Sequence, residues 1–597
     1  MGLFCARAGA AEPQWIRVSS SHFSVLTDAG EKKGDEVAFR FEQMRSVFSQ
    51  LLKRTKLNMP EPLEIVCLKE YGQVAPASDT ASGFFLSGED KNYIVLNAAD
   101  DESWRVVAHS FAHLLLNYNY PQTQGWFDEG LAEYFASIRL DDKQVQMGAD
   151  PESLSELLNT PAWISIPELF KTQHEVSNYR QGTHHTLFYA ESWVVMHYLV
   201  NQDKLEKTGT YFGLVQNEGM PVEQAIQQAY GMSAAQLEQA VKDYFHSLAA
   251  PVHQFPTPLA PGDVGASTQP VPDPQAQALL GELMVRLPEH RDQGLRNLQS
   301  LISQPKLDNA IAHLALAWDH MQRKEFDQAT EELSKASELD ANDAWVRYYL
   351  ALVKYHAAQA GGQPFQGLSN MMQDLRAVLD WYPAFAEAYN MLGMARVEGG
   401  GINSAMEAMR TAMQLSPRNQ QYMLNMALIY MAAKRWDAAS AMLERLKRSP
   451  NPQIAQAAEK NLADLPTLEK YGMRPQQTVE KAAPPPPAQP TPAKPGAAEP
   501  ETTSEEQPKP PAEPQPDLRK VQFLKGRLAS VDCTQAPAAV LTVVAAGKTM
   551  RLRTEDYKSL LLIGEDSFSC GWKDRSVAVN YKPGGKADGD LVSLELQ

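Results

Sequence analysis

His109 and His113 lie four residues apart in the segment from Trp104 to Ser137, WRVVAHSFAHLLLNYNYPQTQGWFDEGLAEYFAS. On a helix both imidazoles project from one face a single turn apart, the spacing that two ligands of one zinc ion require. The pair alone does not make a site. Zinc takes at least three protein ligands, and an HxxxH pair also serves as a plain polar stripe on an amphipathic helix. Downstream, Pro121 and Gly125 end the first helix, and a second opens near Asp128 with Glu129 and Glu133 one turn apart. Reversal of the chain through the intervening loop can bring Glu129 opposite the histidines as a third, oxygen ligand. Glu133, one turn deeper, can accept the second N–H of a ligand histidine and fix its tautomer. The plain alternative is a capping glutamate and a solvated helix face.

Residues that converge in this way need a rigid frame, and the pattern around them provides one. Trp15 to Leu26 alternates as a hairpin does, Glu36 to Leu52 has apolar residues at helical spacing, and Leu63 to Leu68 (LEIVCL) reads as a buried strand. Gly83 to Asn97 is expected to be a second hairpin with its turn at Gly88, Glu89 and Asp90. Helical spacing then dominates, over Asp101 to Tyr118, Glu129 to Ile138, Thr183 to Val200 and Pro221 to Phe245. A strand-rich half leading into a helix-rich half predicts an α+β domain over 14–250.

Here the chain resembles the gluzincin metallopeptidases, specifically the peptidase-MA-like group called DUF1570. The resemblance rests on H-x-x-x-H followed by W-F-D-E-G-L-A-E-Y-F, on the preceding strands and helices, and on the later helix FYAESWVVMHYLV (Phe188 to Val200), and it covers about residues 15–248. It implies a zincin-like fold and a zinc site of His109, His113 and Glu129, with Glu133 supporting a ligand from behind. In such enzymes an extended substrate typically lies against an edge strand, for which the Gly83 to Asn97 hairpin is the candidate. Tyr189 is either a hydroxyl donor to a tetrahedral oxyanion or an aromatic packed on the ligand helix.

The family pattern is H-E-x-x-H, whereas this chain reads His109-Ser110-Phe111-Ala112-His113. The missing glutamate is the group that takes a proton from metal-bound water and passes it to the leaving amine, and a serine hydroxyl is too weakly basic to replace it. Three readings follow: a zinc-holding pseudopeptidase, a hydrolase in which another carboxylate, such as Asp128 or Glu133, supplies the base, and a metal-free domain kept for its fold.

Beyond a Pro-rich connection at 251–274, the stretch 275–470 is helical and repetitive. Leu316-Ala317, Leu350-Ala351, Leu392-Gly393 and Met426-Ala427 recur at steps of 34, 42 and 34 residues, with Ala329/Ala336, Ala405/Ala412 and Ala439 at fixed offsets. This resembles the tetratricopeptide repeat, an all-α solenoid over about Asn309 to Pro452, with Pro417 at a repeat end and eight extra residues around Ala360 to Gly367 accounting for the longer step. Such arrays hold a protein or peptide partner on a concave surface. Residues 471–517, rich in Pro, Ala, Glu and Lys, cannot bury enough apolar surface to offset ordering and read as a disordered tether. The remaining 518–597 alternates in short runs, a small β-barrel or sandwich in which Cys533 and Cys570 can pair.

A net charge of -17 over 597 residues argues against a nucleic-acid binder that works by neutralising phosphate. No stretch approaches the roughly 20 apolar residues of a membrane span. Residues 1–13 (MGLFCARAGAAEP) have the A-x-A form of a signal-peptide end at Ala8 and Ala10, with little apolar region before it, so export to the periplasm or outside the cell is expected.

Overall fold

The computed structural model describes residues 15–54, 56–75, 83–88, 90–100, 103–140, 144–150, 154–159, 162–172, 186–247, 253–256, 264–361, 368–449, 451–472, 519, 522–545, 547–557, 560–563 and 568–596. The expected signal remnant, almost all of the expected tether and most of the eight-residue insertion lie outside these. The chain falls into two compact units, 1–429 and 430–597.

The first unit begins with a mixed six-stranded sheet. Hairpin β1 (Trp15–Ser19) and β2 (Ser24–Thr27) leads into helix α1 (Glu31–Leu51), followed by β3 (Leu63–Leu68), β4 (Gly83–Leu86) and β5 (Asn92–Asn97). Strands β2, β3 and β5 run parallel, and β4 pairs antiparallel with β5 at the sheet edge. Both expected hairpins are present, and the Gly83 to Asn97 pair supplies an edge strand. Central strands are apolar on both faces because both are covered. Ile65, Cys67, Ile94 and Leu96 face α1 and the helices that follow. Val66, Leu68, Tyr93 and Val95 face the opposite way.

Helices α2 (Ser103–Asn119) and α3 (Gly125–Ala136) come next, then β6 (Arg139–Leu140), β7 (Gln144–Met147), α4 (Leu154–Leu158), α5 (Ile166–Lys171), α6 (Leu187–Asn201), α7 (Lys207–Phe212), α8 (Val222–Tyr230) and α9 (Ala234–Ser247). The single helix expected over Pro221 to Phe245 is two, α8 and α9, because Gly231 takes a left-handed conformation (φ 73°) that closes α8.

The Pro-rich segment at 251–274 is not simply a connection. It carries β8 (His253–Pro256), which pairs with β7, and β9 (Ser267–Val271), which pairs with β1 as the other sheet edge. Pro270 is tolerated there because an edge strand has one side that needs no ladder hydrogen bond. Helix α10 (Asp273–Arg286) then lays Ala276, Leu280, Leu283, Met284 and Leu287 on the outer sheet face. The N-terminal fold is therefore completed by residues beyond 250, some of them in the stretch expected to belong to the repeats.

Helix α10 also pairs with α11 (Arg291–Ile302), and further antiparallel pairs follow: α12 (Ala310–Gln322) with α13 (Phe326–Leu339), α14 (Ala344–Gly361) with α15 (Leu368–Trp381), and α16 (Ala386–Glu398) with α17 (Ile402–Leu415). Ala317, Ala329, Ala336, Ala351, Ala405 and Ala412 are fully buried where paired helices cross, as their recurrence requires. Helix α18 (Gln420–Ala432) spans the boundary between the units.

The second unit holds α19 (Trp436–Leu446) packed on α20 (Pro452–Tyr471), and a six-stranded all-β domain: β10 (Gln522–Asp532), β11 (Ala539–Ala545), β12 (Lys548–Thr554), β13 (Leu561–Ile563), β14 (Arg575–Pro583) and β15 (Gly589–Leu596). The sheet closes on itself through β12 and β15. Cys533 and Cys570 form a disulfide.

Candidate metal centre

Helix α2 runs without Gly or Pro from Ser103 to Asn119, and Pro121 keeps it from continuing. One face carries Phe111 into the aromatic packing of Phe41 and Phe23, with ring centroids 5.4 and 5.8 Å away, which fixes the helix's rotation. The opposite face presents His109 and His113, their rings 4.8 Å apart. Helix α3 is buried along nearly its whole length, with Trp126 stacked on Phe170 at 3.9 Å. It opens at Gly125, three residues before the expected Asp128. Gly130 is required by the packing, since a Cβ there would stand 2.4 Å from the Ser192 carbonyl oxygen of α6.

The loop between α2 and α3 brings Glu129 to the histidines. The Nε2 atoms of His109 and His113 are 3.2 Å apart, and Glu129 Oε2 lies 3.3 Å from the second and 3.6 Å from the first. A tetrahedral ion about 2.0–2.1 Å from each ligand demands donor separations of about 3.3–3.4 Å, so the triangle has the dimensions of a zinc or similar site. Among the described residues these three are the one group of His, Cys, Asp or Glu side chains near enough to share an ion.

Behind the triangle, Glu133 Oε1 stands 3.5 Å from Nδ1 of His109, and Arg105 holds the other carboxylate oxygen at 3.3 Å. Nε2 of His109 thus faces the triangle while Nδ1 faces a carboxylate, the arrangement that orients a metal-binding imidazole. Arg105 was not singled out from the sequence, although it sits one turn before His109 and one-turn spacing on α2 was the signal that could have found it.

Two of the three protonation states suit a cation. Burial keeps His109 below the usual histidine value. Burial pushes the Glu129 carboxyl up, but the two imidazoles outweigh it and hold it well below the carboxylate range. Burial also disfavours a proton on His113, yet the charge of Glu129 outweighs that and raises it, so a metal ion competes with a proton at this ring.

The other expected residues are placed as follows. Ser110 is buried on α2 next to His109. Tyr189 is buried on α6; burial, and then the negative charges of Glu129 and Glu133, push its hydroxyl up, so it stays protonated. Asp128 makes a two-pronged ion pair with Arg418, at 2.8 and 3.1 Å, and also accepts from Thr123. Neither carboxylate expected as a substitute base is therefore directed at the triangle: Asp128 is engaged with Arg418, and Glu133 lies on the far side of the His109 ring.

A family model described as a protein of unknown function (DUF1570) matches residues 106–223, and a tetratricopeptide repeat model matches residues 396–460. Among solved structures, the chain is similar to PilF of Pseudomonas aeruginosa (18% identity, 33% of this chain and 90% of that one, TM-score 0.25). It is also similar to MamA of Desulfovibrio magneticus RS-1 (18% identity, 32% and 97%, TM-score 0.24) and to a thermophilic tetratricopeptide repeat protein of Thermus thermophilus (16% identity, 32% and 99%, TM-score 0.26). No curated protein matches the chain.

Proposed function

We propose that the N-terminal domain is a gluzincin-like, zinc-holding pseudopeptidase carried on a repeat scaffold that binds another protein. The observation that carries this reading is the triangle of His109 Nε2, His113 Nε2 and Glu129 Oε2, whose sides of 3.2–3.6 Å suit one tetrahedral ion. Bound zinc would supply a Lewis acid able to polarise a carbonyl or acidify a water. The chain's own residues support holding more than turnover. His109 and His113 grip from one helix, Glu129 from the next, and Glu133 with Arg105 orients His109. Ser110 occupies the position at which the H-E-x-x-H pattern has its general base, and its hydroxyl is too weakly basic to accept a proton at neutral pH.

The second reading, hydrolysis with Asp128 or Glu133 as base, is disfavoured by the engagement of Asp128 with Arg418 and by the position of Glu133 behind His109. Assaying full-length protein on a mixed peptide library, with and without a chelator, separates the two. The pseudopeptidase reading expects at most a trace of chelator-sensitive cleavage; efficient turnover abolished by the chelator and restored by zinc would favour the hydrolase.

Tetratricopeptide repeats imply a protein-interaction role. No helix among the described residues is long and apolar enough to cross a membrane. The Cys533–Cys570 disulfide supports export to an oxidising compartment, where such bonds persist.

A further inference from the structure

The chain between α2 and α3 sets how far Glu129 stands from the histidine pair, and its conformation is held by a side chain some 300 residues away in sequence. Arg418, in the α17–α18 connection, is largely buried and directs its guanidinium at this segment. Nε donates to the carbonyls of Tyr120 and Pro121, both at 3.1 Å. Nη1 donates to Asn117 Oδ1 at 3.2 Å and Asp128 Oδ2 at 2.8 Å. Nη2 donates to Thr123 Oγ1 at 2.5 Å and Asp128 Oδ1 at 3.1 Å. The partners lie at the end of the helix that bears His109 and His113, along the loop, and in the first turn of the helix that bears Glu129.

Three physical effects act together here. Carbonyls just past the last turn of a helix, here those of Tyr120 and Pro121, lack intrahelical donors and lie at its negative end, which a cation satisfies. An acidic group in the first turn of the next helix completes the ion pair at that helix's positive end. A guanidinium presents five N–H groups in a rigid plane, so one side chain can tie both helix ends to each other at a fixed separation, as a single ammonium cannot.

We propose that Arg418 is a positioning residue for the metal centre: the repeat array delivers it to clamp the α2–α3 loop, so that the hold of His109, His113 and Glu129 on a cation depends on the array. The proposal rests on the zinc reading of the triangle. An N-terminal domain cut at about residue 250 would lack this clamp as well as β9 and α10.

The test uses full-length protein: wild type, Arg418→Ala, Arg418→Lys, His113→Ala, and Tyr382→Phe, which removes a 2.7 Å bond from the array to the Met59 carbonyl that involves none of the groups Arg418 holds. Zinc affinity is measured by chelator competition, and amide hydrogen exchange over 117–136 is measured on the metal-free proteins. Arg418→Ala is expected to weaken zinc binding about 10–100-fold, the usual effect of losing a support to metal ligands, and to speed exchange in the loop. Arg418→Lys should recover part of both, and Tyr382→Phe should match wild type. If Arg418→Ala does not fold, Arg418→Lys decides, with wild-type affinity and exchange counting against the clamp. Unchanged affinity and exchange in Arg418→Ala, or equal losses in Tyr382→Phe, would overturn the proposal. If wild type binds no more zinc than His113→Ala, the zinc reading fails instead, and exchange alone decides whether Arg418 fixes the loop.

Discussion

Replacing Ser110 by glutamate is expected to raise zinc-dependent peptide hydrolysis about 10²–10⁴-fold over wild type, the range that a positioned general acid and base contributes. Position 110 follows His109 on α2, where the H-E-x-x-H pattern places its base, and His109, His113 and Glu129 already stand in a triangle that would suit an ion. What position 110 lacks is a group that takes up a proton near neutral pH. Ser110 is buried, so the larger side chain carries an overpacking cost of about 1–3 kcal/mol, which the stability of the domain has to absorb. The comparison is made at equal zinc content, with chelator-sensitive cleavage as the readout. A Ser110→Glu protein that folds and holds zinc yet cleaves nothing would mean that more than the base is missing, and the site would have to be read as a binding site shaped away from catalysis.

The second large effect is on stability, where the hairpin turn of β4 and β5 meets the repeat array. Asp90 receives two 2.7 Å bonds from Arg286 of α10, and Tyr349 of α14 also donates to it. Lys91 pairs with Glu282 at 2.9 Å and lies over the Trp345 ring at 4.0 Å. Arg286 and Asp90 are each 3% exposed, so two carboxylates and two cations balance one another out of reach of water. Burial pushes the Asp90 carboxyl up, but Arg286 outweighs it and holds it at about 2. A depressed carboxyl stabilises the fold above its unfolded value near 3.8 and loses that contribution as the pH falls towards 2. Arg286→Met keeps most of the stem and removes the charge, stranding Asp90. It is expected to cost about 3–5 kcal/mol, read as a lowered urea midpoint for unfolding of the N-terminal unit. A loss below about 1 kcal/mol would show that the cluster is solvated in solution, since exposed pairs contribute that little.

How much of this was legible in the sequence depended on how local each signal is. LEIVCL is a strand over the same six residues as expected, because a mostly apolar run with β-branched residues between Pro62 and Lys69 is too short for a helix. The recurring alanines marked helix crossings, since close packing leaves no room for alternatives. His109, His113 and Glu129 meet because helix periodicity and one short loop suffice to bring them together. Residues 267–271 read as a connection, because an edge strand with Pro270 and little burial lacks both alternation and apolar content; only its partner β1, some 250 residues earlier, makes it a strand. The break at Gly231 was written in a Gly-Met-Ser step that helical spacing on either side obscured. Arg418 carries no local signal of its task, as its partners are Asn117 to Asp128, and Asp128, expected as a possible base, has its charge committed to that arginine.

The measurement that bears most directly on all of this is zinc content per chain in purified full-length protein after equilibration with zinc and removal of the excess, with His113→Ala treated in parallel. One equivalent in the wild type and none in the variant is the predicted result. Equal zinc in the two proteins, whether one equivalent or none, would contradict it.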